Sequence, residues 1–409
     1  MLNSKNEREL CYVVIIDDIL PIEGADRVEQ AVVGGWHIMT RKGQFKPGDP
    51  AIYFEIDSKV PETEPFKFLE AKHYKVKTQK YFKGTVISQG LLMSAEDFGW
   101  HIVPKCEPLY STPYIVDNES HDHHIENESR FLTEKLGVKY AVDEDNVRKA
   151  ASADKYKKMA QRHGKLFSHQ PFRWLMKRNW GKKFLFIFFG KKKDKRGWPA
   201  WVQKTDEERV QNMPWILKDK SEWIATEKID GTSTTFTIKR GKGFKKNDFY
   251  VCSRNVVFDK PDKKCFYESN VYTEMAEKYH IEEVLNKMLD KYPEAEWITI
   301  QGETFGNGVQ KRDYSMEGHD FKAFNLIMSH TGRWNTLKMK AELFNYGIAS
   351  VPVIEENYVL PDTIEELLDY ATGKSIVDGG MREGIVFRSI DGTKSFKAVS
   401  NDFLLKYHS

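Results

Sequence analysis

The chain has 409 residues, 40% of them apolar, enough to bury a core in each of two folded units. Its 63 basic and 60 acidic side chains leave a formal net charge of +3, which excludes a globally basic nucleic-acid binder and requires any positive surface to be local. Cys11, Cys106, Cys252 and Cys265 have no metal-ligand spacing and the N-terminus has no signal-peptide pattern, so a reduced, cytoplasmic protein is expected.

In the first hundred residues, short β-branched or aromatic runs at 12–16, 28–33, 36–40, 51–56 and 85–87 alternate with turn residues such as Gly34-Gly35 and Lys46-Pro47-Gly48-Asp49. This punctuation predicts a small all-β barrel of the five-stranded OB type over residues 1–105. Lys72, Lys75, Lys77, Lys80 and Lys83, interleaved with Tyr74, Tyr81 and Phe82, suit phosphate neutralisation and base stacking; a solvated strand face gives the same pattern, and both readings stand. Residues 106–197 read as a linker with an insertion, helical near 128–136 and 146–162 and basic from 173 to 196. The cluster His121-Asp122-His123-His124 has metal-ligating side chains, but its Asn, Glu and Ser neighbours predict a solvated loop. The apolar run 184–189 is too short to cross a bilayer. Lysines on both sides of it fit a membrane surface, whereas a buried strand or helix end is the plainer reading, and no membrane partner is expected.

Residues 198–409 read as α+β, with strands near 223–226, 234–239, 297–301, 321–327 and 384–388 and helices near 271–279, 281–291 and 336–345. Lys228, in Glu227-Lys228-Ile229-Asp230-Gly231-Thr232, falls at a strand end, with Gly231 expected to make the tight turn into the next strand. A lysine amine is a nucleophile only when deprotonated, which burial or positive neighbours promote. Taken singly, the motif is better read as a solvated lysine before a hairpin turn.

The lysine motif is followed in order by Ser253-Arg254-Asn255, Gln301-Gly302-Glu303, Phe321-Lys322-Ala323-Phe324, Arg382-Glu383-Gly384-Ile385-Val386 and Lys394-Ser395-Phe396-Lys397. That succession resembles the covalent nucleotidyltransferase superfamily of ligases and capping enzymes. The likeness is greatest to the nick-sealing RNA ligases that place an OB domain before the ligase domain. Further matches are residues 21–26, 54–58, 88–91 and 204–209. The resemblance implies an α+β nucleotidyltransferase (ligase-type) domain at 198–409 preceded by a small all-β OB-fold barrel.

It also implies a chemistry. Lys228 would attack the α-phosphorus of ATP, and the lysyl-AMP so formed would pass AMP to the 5′-phosphate of a nick, from which a 3′-hydroxyl displaces it. Lys397 and Lys394 would offset the developing charge, although Ser395 stands where the family has a second basic residue two before Lys397. Asp230, Glu303 and Glu383 would hold Mg2+, or Mn2+, largely through its waters. Glu227, Ile229, Arg254 and Glu303 would contact the nucleotide, Glu383 would border it, and Lys204 would orient the pyrophosphate. Phe324 would stack on adenine, Phe321 pointing to the opposite face of their strand. The implied partner is a nicked duplex with RNA on the 3′-hydroxyl side, and no obligate protein partner is expected. A capping enzyme or DNA ligase, usually carrying its OB domain after the last motif, would find residues 398–409 too few for one. An inactive nucleic-acid-binding relative is opposed by the joint presence of Lys228, Asp230, Glu303, Glu383 and Lys397.

Overall fold

The computed structural model describes residues 1–2, 7–103, 114–117, 131–141, 159–160, 163–189, 197–204, 206–258 and 270–407. The His121 cluster, Cys106, Cys265 and most of the helix expected at 146–162 lie outside these residues. Cys11 and Cys252 are buried free thiols.

The N-terminal domain is built from antiparallel strands. Val28–Val33 and Trp36–Arg41 form a hairpin in which Val33 pairs with Trp36, and the intervening Gly34 and Gly35 both take positive φ, 51° and 74°. Two such residues in succession match the right-handed twist of the flanking strands, and glycine adopts them without a Cβ clash. A second sheet orders Cys11–Ile15, Pro50–Phe54 and Leu91–Met93. Alternation sends Cys11, Val13, Ile52 and Phe54 into one core and Tyr12, Val14, Ala51 and Tyr53 into another. A sheet covered on both faces explains why these strands read as unbroken apolar runs.

Residues 131–141 return to this domain. Phe131 bridges to Tyr12, Lys139–Tyr140 pairs with Ser58–Lys59, and Leu132 and Val138 enter the core. Over its described part, the helix expected at 128–136 is instead turn and bridge: contacts to distant strands outweigh local periodicity, and Gly137 at φ 64° ends the turn. The lysines interleaved with aromatics do not share one face. Lys75 is buried, and Lys80 donates to the carbonyl oxygen of Leu405 in the C-terminal helix. Ile87 adds a hydrophobic tie to Val399 and Leu404.

Between the two domains, short helices Gly164–Phe167, Gln170–Met176 and Asn179–Phe189 gather around Met159, Phe167 and Leu185. The apolar run 184–189 is therefore the end of a helix, but it is not buried throughout: Phe184, Ile187 and Phe188 are exposed. So small a hairpin can cover only one side of a helix.

The C-terminal domain holds two antiparallel sheets. One has four strands in the order Val353–Val359, Glu222–Lys228, Gly384–Ser389, Ser395–Val399. The other has six, with Thr232–Lys239 between Asp248–Ser253 and Trp297–Gly306, and His319–Met328 beyond. Helix Ile281–Lys291 repeats apolar residues at Ile281, Val284, Leu285, Met288 and Leu289, a stripe that lies in the core of the six-stranded sheet. Helix Val271–Lys278 begins where the Asn270 side chain accepts from the Thr273 amide at 3.0 Å. Every strand and helix expected after residue 198 is present within a few residues of its expected span.

Phe321 is fully buried and meets Phe236 edge to face, whereas Phe324 on the other face of its strand is only partly covered. Phe321→Ala is expected to cost about 3–5 kcal/mol of stability, read as a lower urea midpoint of the C-terminal domain, and Phe324→Ala far less.

Candidate active site

Glu222–Lys228 belongs to the four-stranded sheet and Thr232–Lys239 to the six-stranded one, so Lys228-Ile229-Asp230-Gly231 crosses between sheets and does not close a hairpin. Gly231 has no positive φ. A Cβ there would stand 2.4 Å from the Thr304 carbonyl oxygen and 2.9 Å from Glu303 Cγ, so this glycine serves close packing and not the turn expected of it.

Strand register then delivers the charges. Lys228 pairs with Gly384, which sets Glu383 beside it; Ser233 pairs with Glu303, and Val386 with Lys397. These side chains, with Asp230, Arg254 and Arg388, line a cavity of about 410 Å³ to which strands of both sheets contribute. Glu227, Ile229 and Phe324 line it as well.

Lys228 Nζ donates to Glu383 Oε1 at 2.7 Å. Burial would lower the lysine pKa, but Glu383 and Glu303 outweigh it and hold the amine above its usual value. The Glu303 carboxyl is pushed up to about 8 by burial first, opposed by Lys228 and reinforced by Glu383 and Asp230. Lys397 is held below its usual value by burial, despite Asp206, with Lys228 and Arg209 adding to the effect. Glu383 Oε2 is buried with no hydrogen-bond partner among the described residues.

Several partners escaped the sequence reading. Asp206 accepts from Lys397 at 3.2 Å and also from Arg254, so one carboxylate joins two cations on the cavity wall. Burial would raise its pKa, but Lys397 and Arg254 outweigh that and lower it. Arg388 is buried, donates to Glu207 at 3.0 Å and lies 5.8 Å from the centre of the Phe324 ring. Asp206 and Glu207 fall inside the family-like stretch 204–209, a signal that could have found them. Tyr314 gave no such signal. Its hydroxyl accepts from the Asp230 amide at 2.6 Å, and the Arg312 guanidinium lies 3.8 Å from its ring while pairing with Asp378.

Two expected residues lie elsewhere. Lys394 sits in the turn before its strand, exposed, and donates to Asp219 at 2.6 Å; it does not line the cavity, because three positions from Lys397 along an extended chain turn it away. Lys204 donates to Asn255 at 2.9 Å, next to Arg254, and borders a neighbouring cavity that shares Asp206 and Glu207. Glu227 is buried and engaged by Ser375 and by the Ile376 amide at 2.8 Å.

Among the described residues, no group of three or more His, Cys, Asp or Glu is arranged to hold a metal ion unaided. The acidic wall, with a buried Glu383 oxygen lacking a hydrogen bond, instead suits a hydrated ion that takes its remaining ligands from a bound phosphate chain, the usual habit of Mg2+.

Residues 221–408 match the RNA ligase family model, and residues 10–95 match an OB-fold domain. No curated protein sequence matches the chain. Among solved structures, an apo mutant of a Naegleria gruberi RNA ligase is 22% identical with a TM-score of 0.64, over 98% of this chain and 99% of that one. A mutant Naegleria gruberi RNA ligase with ATP and Mn is 24% identical with a TM-score of 0.62, over 98% and 100%. A Naegleria gruberi RNA ligase with PPi is 24% identical with a TM-score of 0.60, over 98% and 99%. The shared fold is an OB-fold domain followed by a ligase-type domain of mixed helices and strands.

Because the folded-state value of Glu303 is raised from 4.5 to about 8, its contribution favours folding most below pH 4.5 and is lost as pH rises through about 8. Glu303→Gln removes that dependence. The Tm of the ligand-free variant minus that of the parent should therefore grow between pH 4.5 and about 8 and then level off, and a flat difference would contradict the assignment.

Proposed function

The chain carries an RNA ligase domain at residues 221–408, and on that premise we propose that it is an ATP-dependent RNA ligase that seals 3′-hydroxyl to 5′-phosphate nicks through a lysyl-AMP intermediate. The observation that carries this reading is the convergence on one cavity of a partly buried lysine amine, the carboxylates Glu383, Glu303 and Asp230, and the cations Lys397 and Arg254. A carboxylate-gripped lysine without a cationic wall would be only a buried ion pair. With that wall, the same cavity can receive a polyphosphate.

Lys228 must shed its proton before its Nζ can attack the α-phosphorus, forming an N–P bond as the bond to pyrophosphate breaks. In the ligand-free protein Glu383, joined by Glu303 when that carboxyl is ionised, holds that proton on, so activation requires this negative charge to be drawn elsewhere. Asp230, Glu303 and Glu383 would hold a divalent ion there, which when bound supplies positive charge to the phosphate oxygens and to these carboxylates. Lys397 and Arg254 lower the barrier by neutralising charge on the phosphates as it develops. Lys204 is assigned to the leaving pyrophosphate, supported by its position beside Arg254 and Asn255. Phe324 is assigned to the adenine ring, supported by its partial exposure within the cavity and by Arg388 near its face.

The AMP group then passes from Lys228 to the RNA 5′-phosphate, freeing the amine, and the 3′-hydroxyl displaces AMP as the phosphodiester forms. Naegleria gruberi RNA ligase structures containing ATP and Mn, and AMP and Mn, support the choice of nucleotide and a divalent ion. The OB-fold domain, tied to the ligase domain through Ile87, Val399 and Leu404, supports a duplex substrate lying across both domains. RNA on the 3′-hydroxyl side and a cytoplasmic setting belong to this reading, the latter favoured by the buried free thiols Cys11 and Cys252.

Incubation with α-labelled ATP and Mg2+, followed by denaturing electrophoresis, tests the central step. The protein should take up label from ATP and not from GTP, and Lys228→Ala should take up none. Label from GTP alone would replace this reading with a capping-type transfer. Phe324→Ala should label to the same extent but require roughly fivefold more ATP, the equivalent of about 1 kcal/mol of stacking.

A further inference from the structure

The helical hairpin between the two domains presents an exposed face rich in aromatic side chains. Gln170–Met176 and Asn179–Phe189 cross closely at Gly181, where a Cβ would lie 2.3 Å from the Leu175 carbonyl oxygen. That contact fixes which side of the second helix is covered: Gly181 and Leu185 pack inward. The opposite side carries Trp180, Phe184, Ile187 and Phe188, spaced i, i+4, i+7 and i+8 and therefore aligned along one stripe. They are 57%, 49%, 71% and 64% exposed, and Trp174 of the first helix, 50% exposed, meets Trp180 edge to face and extends the stripe.

The charge of the chain that forms the stripe is of one sign. No Asp or Glu occurs from residue 155 to residue 193, while Lys177, Arg178, Lys182 and Lys183 border the exposed aromatics. Arg178 stacks over the Trp174 ring with its carbon 3.7 Å from the centroid. Long basic side chains rimming a contiguous apolar stripe are the arrangement of a helix lying in a bilayer interface, apolar residues among the upper acyl chains and cations on lipid phosphates. The second helix has 11 residues and spans roughly 16 Å, about half a hydrocarbon core, and no helix among the described residues is long and apolar enough to cross a membrane. It can lie on a bilayer but not traverse one.

We propose that this hairpin is a peripheral membrane-docking element that seats the protein on an anionic lipid surface through Trp174, Trp180, Phe184, Ile187 and Phe188. A lipid surface fits better than single-stranded RNA because Ile187, the most exposed of the group, has no π face on which a base could stack, and because the apolar residues are contiguous. The cations fit the negative potential of anionic leaflets, which falls off within a Debye length.

The full-length protein should co-sediment with vesicles of phosphatidylcholine containing phosphatidylserine, and weakly with phosphatidylcholine alone. Binding should weaken at high salt. Ile187→Glu with Phe188→Glu, both at exposed positions where no core is disturbed, should reduce binding by roughly tenfold or more, and Lys182→Glu with Lys183→Glu should reduce it on anionic vesicles alone. Both variants should keep the uptake of label from ATP, which separates loss of docking from misfolding. Anionic vesicles that fail to bind the parent protein, or bind the Ile187→Glu/Phe188→Glu variant equally well, would overturn the proposal. So would loss of RNA affinity in that variant with vesicle binding intact, which would make the stripe a nucleic-acid platform, or its conversion from dimer to monomer in sedimentation velocity, which would make it a self-association face.

Discussion

A lysine amine partly buried among carboxylates is stable only while the charges balance, and the pairing of Lys228 with Glu383 supplies that balance here. Much of the C-terminal domain can be read as the means of holding the two together across the many residues that separate them in sequence. The antiparallel register that opposes Lys228 to Gly384 puts Glu383 within hydrogen-bond distance. The next strand pair, with Val386 opposite Lys397, brings a second cation to the same wall. Gly384 itself must be small: a Cβ there would come within 2.2 Å of the Ala398 carbonyl oxygen. Slipping either pairing by one residue would turn the charged side chains to the opposite face and out of the cavity.

The charges around that pair are not independent. Asp206 ties Lys397 to Arg254, and Glu207 ties down Arg388, so the cations of the cavity wall are positioned by carboxylates from an extended segment that precedes the Lys228 strand. Preorganised cations are worth more than mobile ones because they need not reorganise as charge develops on a phosphate. The segment that does this runs directly into Arg209, whose guanidinium lies 5.6 Å from the centre of the Trp36 ring of the barrel. Barrel docking and cavity geometry are thereby coupled through four consecutive residues, 206–209.

The loop before His319–Met328 plays a comparable part on the other side. Tyr314 and Ser315 take positive φ, 56° and 49°, a conformation that costs energy for residues with a Cβ and persists when the surroundings over-determine it. Here the surroundings are the Asp230 amide, the Arg312 guanidinium and Phe305, which together pin the turn carrying Asp230 between the sheets. The helical hairpin at 164–189 shares none of these constraints. It has its own small core around Met159, Phe167 and Leu185, so its outer face is free to differ in chemistry from the rest of the molecule.

Local pattern in the sequence was sufficient for the elements of the ligase domain, because five-to-ten-residue β runs and the 3.6-residue stripe of 281–291 are read from neighbours along the chain. The same is true of the Gly34-Gly35 hairpin, since a two-residue turn with positive φ demands particular residues. The ordered motifs were enough to single out Lys228, Glu303, Glu383 and Lys397 as residues that belong together. What the tertiary structure alone decided is which side chains reach one another. Lys394 and Lys397 look alike in sequence, yet only Lys397 faces the cavity; Asp206, Arg388 and Tyr314 look ordinary and yet hold the site's charged groups in place. Gly231 reads as a turn glycine and proves to be a packing glycine, because the strand that crowds it lies some seventy positions away. Residues 128–136 read as helix, and their described part, from 131, folds as part of the barrel for the same reason. In each case the deciding contact is with a residue distant in the chain, and propensity and periodicity carry no information about such contacts.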